Sequence, residues 1–374
     1  MNDNHYDIIF TGGGAASRMV LYYLKDQAEF QDRKILFIEK ENKTADKTWC
    51  FWFKNHHPLQ HIITKSWGDI EFKSKDIART ENIHPYRYAC IFGSSFEQYT
   101  QEEILPRFSR IEICNDTVLA TAPFQNTWTV KTSLAEYTCD LLISNLPSIS
   151  KKKILHQQFL GWFVEFNEDV FDEDKALLMD FSCSKEKEFS FFYILPFSKR
   201  KALIECTFYS ASRIDSQVYV PEIEAYIQAH FGSDYSLTSI EVGSIPLQTI
   251  SFSEIKNQSR HLNIGQRSGT IKSSTGYAFQ RMLDDASLIG GSLFNNNPRR
   301  RKSKRRHLFY DELLLKMIEE NPDEAKNTFS RLFQTSSFSS ILKFLDEKTN
   351  LMEEIKIFIP LKWWPFLKRI KFFR

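Results

Sequence analysis

The amino-acid sequence predicts an α/β (α+β) protein in which a parallel-sheet domain is interrupted by an inserted, mixed β-sheet domain and followed by a helical C-terminal part. Three observations predict it. First, "YDIIFTGGGAASRMVLYYLKDQ" followed by "RKILFIEK" reads as strand, glycine turn, helix and strand. Second, from 159 to 250 the apolar runs are short and broken by charged turns, the mark of successive strands. Third, "HLNIGQRSGTIKSSTGYAFQRMLDDA" (261–286) returns to strand, glycine loop and helix, so the first domain resumes after the insertion. At 374 residues the chain is long enough for about two domains of roughly 150 residues.

The elements follow in order. "YDIIF" and "KILFI" are short, wholly apolar runs, as in strands of a parallel sheet buried on both faces. Met19, Leu21, Tyr22 and Leu24 give the segment between them an apolar helical stripe. Residues 66–150 mix short strands and helices and end in "WTVKTSLAEYTCDLLISNLP", a strand pair. "FLGWFVEF", "ALLMDFS", "FSFFYILPF" and "KALIECTFYS" are the strands of the inserted domain, and 221–231 is a helix. Beyond the second glycine loop, 307–319 and 323–347 read as amphipathic helices. These divide the chain into 1–150, 151–257, 258–298 and 299–374.

In "TGGGAAS", Gly12 and Gly14 occupy the first two glycine positions of G-x-G-x-x-G. The first permits the tight turn and the second lets the backbone approach a pyrophosphate at the helix N-terminus. Ser17 stands where the third glycine is expected. Glu39 ends the second strand, about 25 residues beyond Gly14, where an acid binds ribose hydroxyls. FAD is favoured over NAD, because a second glycine-rich strand–loop–helix recurs near residue 265 and could bring another helix N-terminus to the same dinucleotide.

One residue conflicts with its surroundings. "ALIECTFYS" (202–210) reads as a buried strand, yet Glu205 sits in its middle. A buried, unpaired carboxylate is costly, and such a group usually takes up a proton instead. Glu205 is either met by a cation elsewhere in the chain or is present as an acid. In "FVEFNEDVFDED", Glu165 alternates with Phe163 and Phe166 and is a candidate second carboxylate.

These stretches converge on a family. "GGGAAS" (12–17), "KTWCFW" (47–52), "FDEDKALLMDF" (171–181), "FFYILPFS" (191–198), "ALIECT" (202–207) and "IGQRSGTIKSSTGYAFQRM" (264–282) run in the order found in FAD-dependent lycopene cyclases, which the chain resembles. The resemblance implies a Rossmann-like flavoprotein fold and acid-catalysed closure of the acyclic ends of lycopene to β-ionone rings, giving β-carotene by way of γ-carotene. It implies a reduced FAD that is not consumed, with NAD(P)H as its electron source. By the same resemblance Glu205 matches the essential acid. Gly12, Gly14 and Glu39 match the dinucleotide positions, and Gly265, Gly269 and Gly276 the second flavin segment. Cys206 stands where many members carry a second acid, and Ser268 and Ser273 replace a glycine and a proline.

The chemistry suits those residues. Protonating an alkene to a tertiary carbocation needs a strong acid kept dry, which a desolvated carboxylic acid supplies. Aromatic faces can stabilise the cation. Trp49, Phe51, Trp52, Phe191, Phe192 and Tyr193 are candidates to line such a pocket, although "KTWCFW" serves core packing equally well. Two rivals stay open: a flavin-dependent redox enzyme, such as a hydroxylase or desaturase acting on a lipid, and a non-catalytic flavin- or carotenoid-binding protein.

Composition excludes other classes. A net charge of +2 gives neither a bulk acidic nor a bulk basic character, and no recognition module for nucleic acid accompanies the basic runs. The six cysteines show no metal-ligand spacing and fit reduced thiols. Signal-peptide and membrane-spanning patterns are lacking. "RRRKSKRR" (299–306) and "IPLKWWPFLKRIKFFR" (359–374) suggest a membrane surface, since Lys and Arg attract anionic headgroups at about 1 kcal/mol each while Trp and Phe enter the interface. The expectation is a peripheral protein on the cytoplasmic side of a membrane.

Overall fold

In the computed structural model, residues 4–40, 46–146, 154–182, 184–249, 260–293, 298–362 and 364–370 are described. Cys183, the boundaries drawn at 150/151 and 257/258, and part of the 359–374 tail lie outside them. The N-terminal sheet is parallel in the order Ile111–Asn115, Ile35–Glu39, His5–Thr11, Glu136–Ser144. Glu136–Ser144 is long enough to take the antiparallel strand Thr127–Thr132 at one end and the parallel strand His261–Asn263 at the other. The late segment therefore re-enters this sheet, as its strand–loop–helix pattern predicts.

The second sheet has seven strands, in the order Tyr235–Leu247, Leu155–Phe166, Lys201–Ser210, Ser190–Pro196, Lys175–Asp180, Asp69–Lys73, Ala78–Asn82. Its last two strands come from the stretch assigned to the first domain, so the inserted domain is not confined to 151–257. Side chains alternate between its faces. On one face Leu160, Trp162, Phe192, Ile204, Cys206 and Phe208 pack with Tyr219, Ile223, Tyr226 and Ile227 of the helix Ser216–His230. On the other, Phe191, Leu195, Leu203 and Tyr209 meet Trp52, Tyr88 and Cys90 from a three-stranded sheet. Phe329, Phe333 and Phe338 of the C-terminal helices close the same core. Both faces of the Lys201–Ser210 strand are thus covered, and nine of its ten residues are at least largely buried or half-buried.

Part of the basic run 299–306 turns inward rather than to the surface. Arg300 is buried and makes a two-pronged contact with Asp285 at 3.1 and 2.7 Å. Arg301 reaches Glu347 at 3.4 Å, Lys304 donates to the Glu347 carbonyl, and Arg306 chelates Glu354. Glu347 is also met by Arg281 at 2.9 Å and by Lys272 at 3.5 Å, and Lys272 meets Asp311 at 2.9 Å. Arg300, Arg301 and Arg306 are therefore spent on the protein's own carboxylates, tying the C-terminal helices into the fold, while Arg299, Lys302, Lys304 and Arg305 are exposed.

Burial alone would raise the Glu347 carboxyl, but Arg281, Lys272 and Arg301 overcome it and hold the group down at about 2. A depressed folded-state value adds stability above the unfolded value, which is lost as pH falls from about 4.5 toward about 2. Glu347→Gln is expected to lower the unfolding free energy by about 3–5 kcal/mol at neutral pH by stranding buried cations. Urea denaturation checks this, and the deficit relative to wild type should shrink as pH is lowered through that window.

Candidate active site

Strand register places four residues in one row across four adjacent strands: Tyr193, Glu205, Gly161 and Glu241. Directly opposed residues share a face, so both glutamates and the tyrosine point into the core closed by the three-stranded sheet. Gly161 puts no side chain between the two carboxyls. A Cβ there would stand 2.7 Å from a Leu203 methyl and 3.5 Å from the Glu205 Cβ.

Glu205 is 7% exposed and accepts a hydrogen bond from Thr207 Oγ1 at 2.7 Å. Burial first, and then the charge of Glu241, push its carboxyl up to about 8, against the opposing pull of Thr207. Glu241 is 5% exposed; its two oxygens accept from the Thr48 backbone N–H at 3.0 Å and the Thr48 hydroxyl at 2.7 Å. Beside them lies a cluster of phenols. Tyr88 Oη is 2.7 Å from Tyr193 Oη and 3.0 Å from Tyr277 Oη. Desolvation keeps all three hydroxyls protonated and pushes the neighbouring Cys50 thiol up to about 12.

The "KTWCFW" strand, Thr48–Lys54, sorts its side chains by parity. Thr48, Cys50 and Trp52 face the acid row: Thr48 holds Glu241, Cys50 bonds with Tyr193, and Trp52 meets Tyr277 edge-on at 4.7 Å. Trp49 and Phe51 point the other way. Phe51 stacks on Phe279 at 4.9 Å, and Trp49 packs 6.0 Å from the same ring, in the core of the first domain. Of the six aromatics expected to line a pocket, Trp52, Phe191 and Tyr193 share the face of Glu205. Phe192 lies on the opposite face, stacked on Tyr226 at 3.9 Å. Glu165 is four residues along its strand from Gly161, 41% exposed in its side chain and paired with Lys201 at 3.1 Å. It is a surface ion pair, and the second carboxylate of the row is Glu241.

The glycine segments form a cradle some way from this row. Gly12 adopts φ +92° and its N–H donates to Ile38 O at 2.8 Å. Ser17 turns its hydroxyl back onto Gly12 O at 2.7 Å, so the missing third glycine is filled by a side chain that ties the turn. Asn145, which follows the Glu136–Ser144 strand, lies within reach of Gly12, Gly14 and Gly265; a Cβ on any of these would press against it. Gly265, at φ +62°, also abuts Ala16, so the late segment sits directly on the first turn of the helix Ala15–Leu24. Glu39 lies over Gly13 and pairs with Arg18 at 3.0 Å. Gly269 closes the short helix Gly265–Ser268 at φ +70°. Gly276, at φ +73°, abuts Gln157 of the acid-bearing sheet and places Tyr277 in the phenol cluster. A narrow cleft, with room for about 10 Å³, runs past Cys50, Trp52, Tyr277 and Phe279.

Sequence reasoning missed Glu241, Asn145 and the phenols Tyr88 and Tyr277. Glu241 lies in "SLTSIEVGS" on an edge strand whose apolar neighbours Ile240 and Val242 are exposed, so a short run broken by Ser and Thr does not mark it as buried. The available signal for Tyr277 was its place directly after Gly276.

Residues 7–369 match the family model described as lycopene cyclase protein. The chain belongs to the lycopene cyclase family. A lycopene beta-cyclase from Pantoea ananas is 23% identical over 284 residues, covering 73% of this chain and 71% of that protein. Among solved structures, a geranylgeranyl bacteriochlorophyll reductase-like protein from Thermoplasma acidophilum superposes with a TM-score of 0.63 at 11% identity, covering 99% of this chain and 100% of that one. A flavoprotein/dehydrogenase from Cytophaga hutchinsonii gives 0.61 at 11% identity, covering 98% and 99%. The halogenase PltM in complex with phloroglucinol and FAD gives 0.59 at 11% identity, covering 94% and 83%. At these identities the structures establish a Rossmann-like flavoprotein fold.

The folded-state value of Glu205 lies above its ordinary 4.5, so the fold favours the neutral acid. Below about 4.5 the group costs nothing; from about 4.5 to about 8 folding must retain a proton the unfolded chain releases. Glu205→Gln is expected to gain stability relative to wild type across that window, at up to about 1.4 kcal/mol per pH unit. Urea denaturation at about pH 5 and about pH 9 reads the difference. A difference that does not change with pH would contradict a buried neutral acid.

Proposed function

We propose that this chain closes the acyclic ends of lycopene into β-ionone rings, yielding β-carotene by way of γ-carotene, with Glu205 as proton donor. The observation that carries the reading is a buried carboxyl, met by a hydroxyl and by no cation among the described residues, inside an apolar, phenol-lined face, in a chain of the lycopene cyclase family. Alkene protonation demands such an acid, and the cation it generates is trapped as an alcohol wherever water enters. The site surrounds the acid with Trp52, Phe191, Tyr193 and Tyr277 rather than with cations, which offers ring faces to a developing cation. One proton enters and another leaves, so the net change is an isomerisation.

The glycine cradle fits FAD. Gly12, Gly14 and Gly265 leave bare backbone beside the N-terminus of Ala15–Leu24, where Gly14 supplies no capping side chain, and Glu39 stands at the end of the second strand for a ribose. Gly269 and Gly276 shape the second segment. When bound and reduced, with NAD(P)H as electron source, the flavin would lend negative charge to cation formation without being consumed. Gly12→Ala, strained at φ +92° and 3.3 Å from the Asn145 backbone, is expected to purify with at least about tenfold less flavin, measured by visible absorbance.

Expression in lycopene-accumulating cells followed by pigment analysis tests the function. Wild type should give ringed product. Glu205→Gln should retain flavin and fall by at least about a hundredfold, the lower range for loss of a general acid. Unchanged lycopene with flavin-loaded wild type would overturn the reading.

The substrate is apolar, and we place the membrane face at the C-terminus. Leu351, Met352, Ile355 and Ile359 line one exposed side of the helix Leu351–Phe358 and its end, and Trp364, Leu367 and Ile370 are exposed on the next helix. Among the described residues no helix is long and apolar enough to cross a membrane. Ile355→Asp combined with Ile359→Asp should abolish most co-sedimentation with anionic lipid vesicles while flavin content holds.

A further inference from the structure

The row that holds Glu205 also holds Glu241, and the two differ in how they are satisfied. Glu205 accepts a single hydroxyl, from Thr207. Glu241 receives two donors on its two oxygens, Thr48 N–H and Thr48 Oγ1–H, a pattern that suits an ionised carboxylate, which only accepts. Both are more than nine-tenths buried, and Gly161 alone separates them in the register. Two carboxyls that share a dry face do not both ionise, and their surroundings decide which keeps the proton.

We propose that Glu241 is a positioning residue that acts through Glu205: fixed as the anion by Thr48, it obliges Glu205 to keep its proton until substrate takes it. The inference rests on the cyclase reading for what the acid then does, but not for the carboxyl pair itself. The neighbours leave the pair uncompensated. Facing Glu205 are Thr207 and Tyr209 from its own strand, Tyr193 from the next, Cys50 from Thr48–Lys54, and Tyr277 from the glycine segment, all neutral. Burial pushes the Glu241 carboxyl up as well, but its two Thr48 hydrogen bonds oppose that, and nearby Asp46 and Lys47 act with opposite sign. Among the described residues no cation acts on Glu205. Gly161 is part of the device, because a Cβ there would press on the Leu203 methyl at 2.7 Å and stand against Glu205 Cβ and Cγ at 3.5 and 3.6 Å.

The sign is fixed by the charge. Removing the anion makes ionisation of Glu205 easier, so it loses its proton at lower pH. In flavin-loaded Glu241→Gln any loss of cyclase activity is expected to shrink toward the acid side, where Glu205 keeps its proton in either protein. The variant's alkaline limb in the pH–rate profile should move acidward by about one pH unit. Thr48→Val, which is close in shape and leaves Glu241 in place, should move the limb the same way by less, and it decides the matter if Glu241→Gln does not fold. A uniform loss at every pH with the limb unmoved would mean a merely structural carboxylate and overturn the proposal. A second readout needs no turnover: the alkaline stability gain of Glu205→Gln over wild type should shrink in a Glu241→Gln or Thr48→Val background. If wild type makes no ringed product the cyclase reading falls, while this stability readout still decides whether Glu241 sets the proton on Glu205. An undiminished gain would overturn the pair.

Discussion

A carboxyl group set into an apolar sheet must either be met by a cation or give up its charge. At Glu205 the fold takes the second course. Both faces of its strand are sealed, one by the helix Ser216–His230 and the other by the three-stranded sheet and the C-terminal helices. Its polar neighbours are hydroxyls and a second carboxylate. The cations that could have neutralised it are engaged elsewhere: Lys201 with Glu165 at the strand's exposed end, and Lys272, Arg281 and Arg301 with Glu347 and Asp311. Segregating charge in this way is what leaves an acid, rather than an ion pair, at the centre of the sheet.

The segment 264–282 links that acid to the cradle. At one end Gly265 lies against the first turn of Ala15–Leu24; at the other, Gly276 packs on Gln157 and delivers Tyr277 to Tyr88. Between them Lys272 and Ser274 are fixed to Asp311, and just beyond Gly276 Arg281 is fixed to Glu347. The buried ion network is thus a brace: it orders the stretch that must serve the dinucleotide turn and the acid row together. Its desolvation is expensive, which is why the network concentrates several cations on one carboxylate.

Much of this was legible in the sequence where a residue type has one physical use. Three adjacent glycines between an apolar run and a helical stripe specify a βα turn, and Glu205 stood out because a carboxylate inside "ALIECTFYS" has few ways to exist. Strands with aromatics at every position were less legible. Alternation sends "KTWCFW" to two different cores, so Trp52 joins the acid while Trp49 and Phe51 pack on Phe279. The same rule separates Phe192 from Phe191. Glu241 could not be seen, since its burial comes from a partner, Thr48, 193 positions away. The basic run 299–306 was legible only as charge for a related reason: the carboxylate partners of Arg300, Arg301 and Arg306 lie at 285, 347 and 354, and only the folded chain brings them together.

The most direct test of a neutral buried acid is infrared titration of the flavin-loaded protein, following the protonated-carboxyl band that disappears in Glu205→Gln. A band present at pH 7 and lost with a midpoint near 8 is the predicted result. A Glu205 carboxyl already ionised at pH 6 would contradict the account, because an acid without its proton cannot begin the reaction.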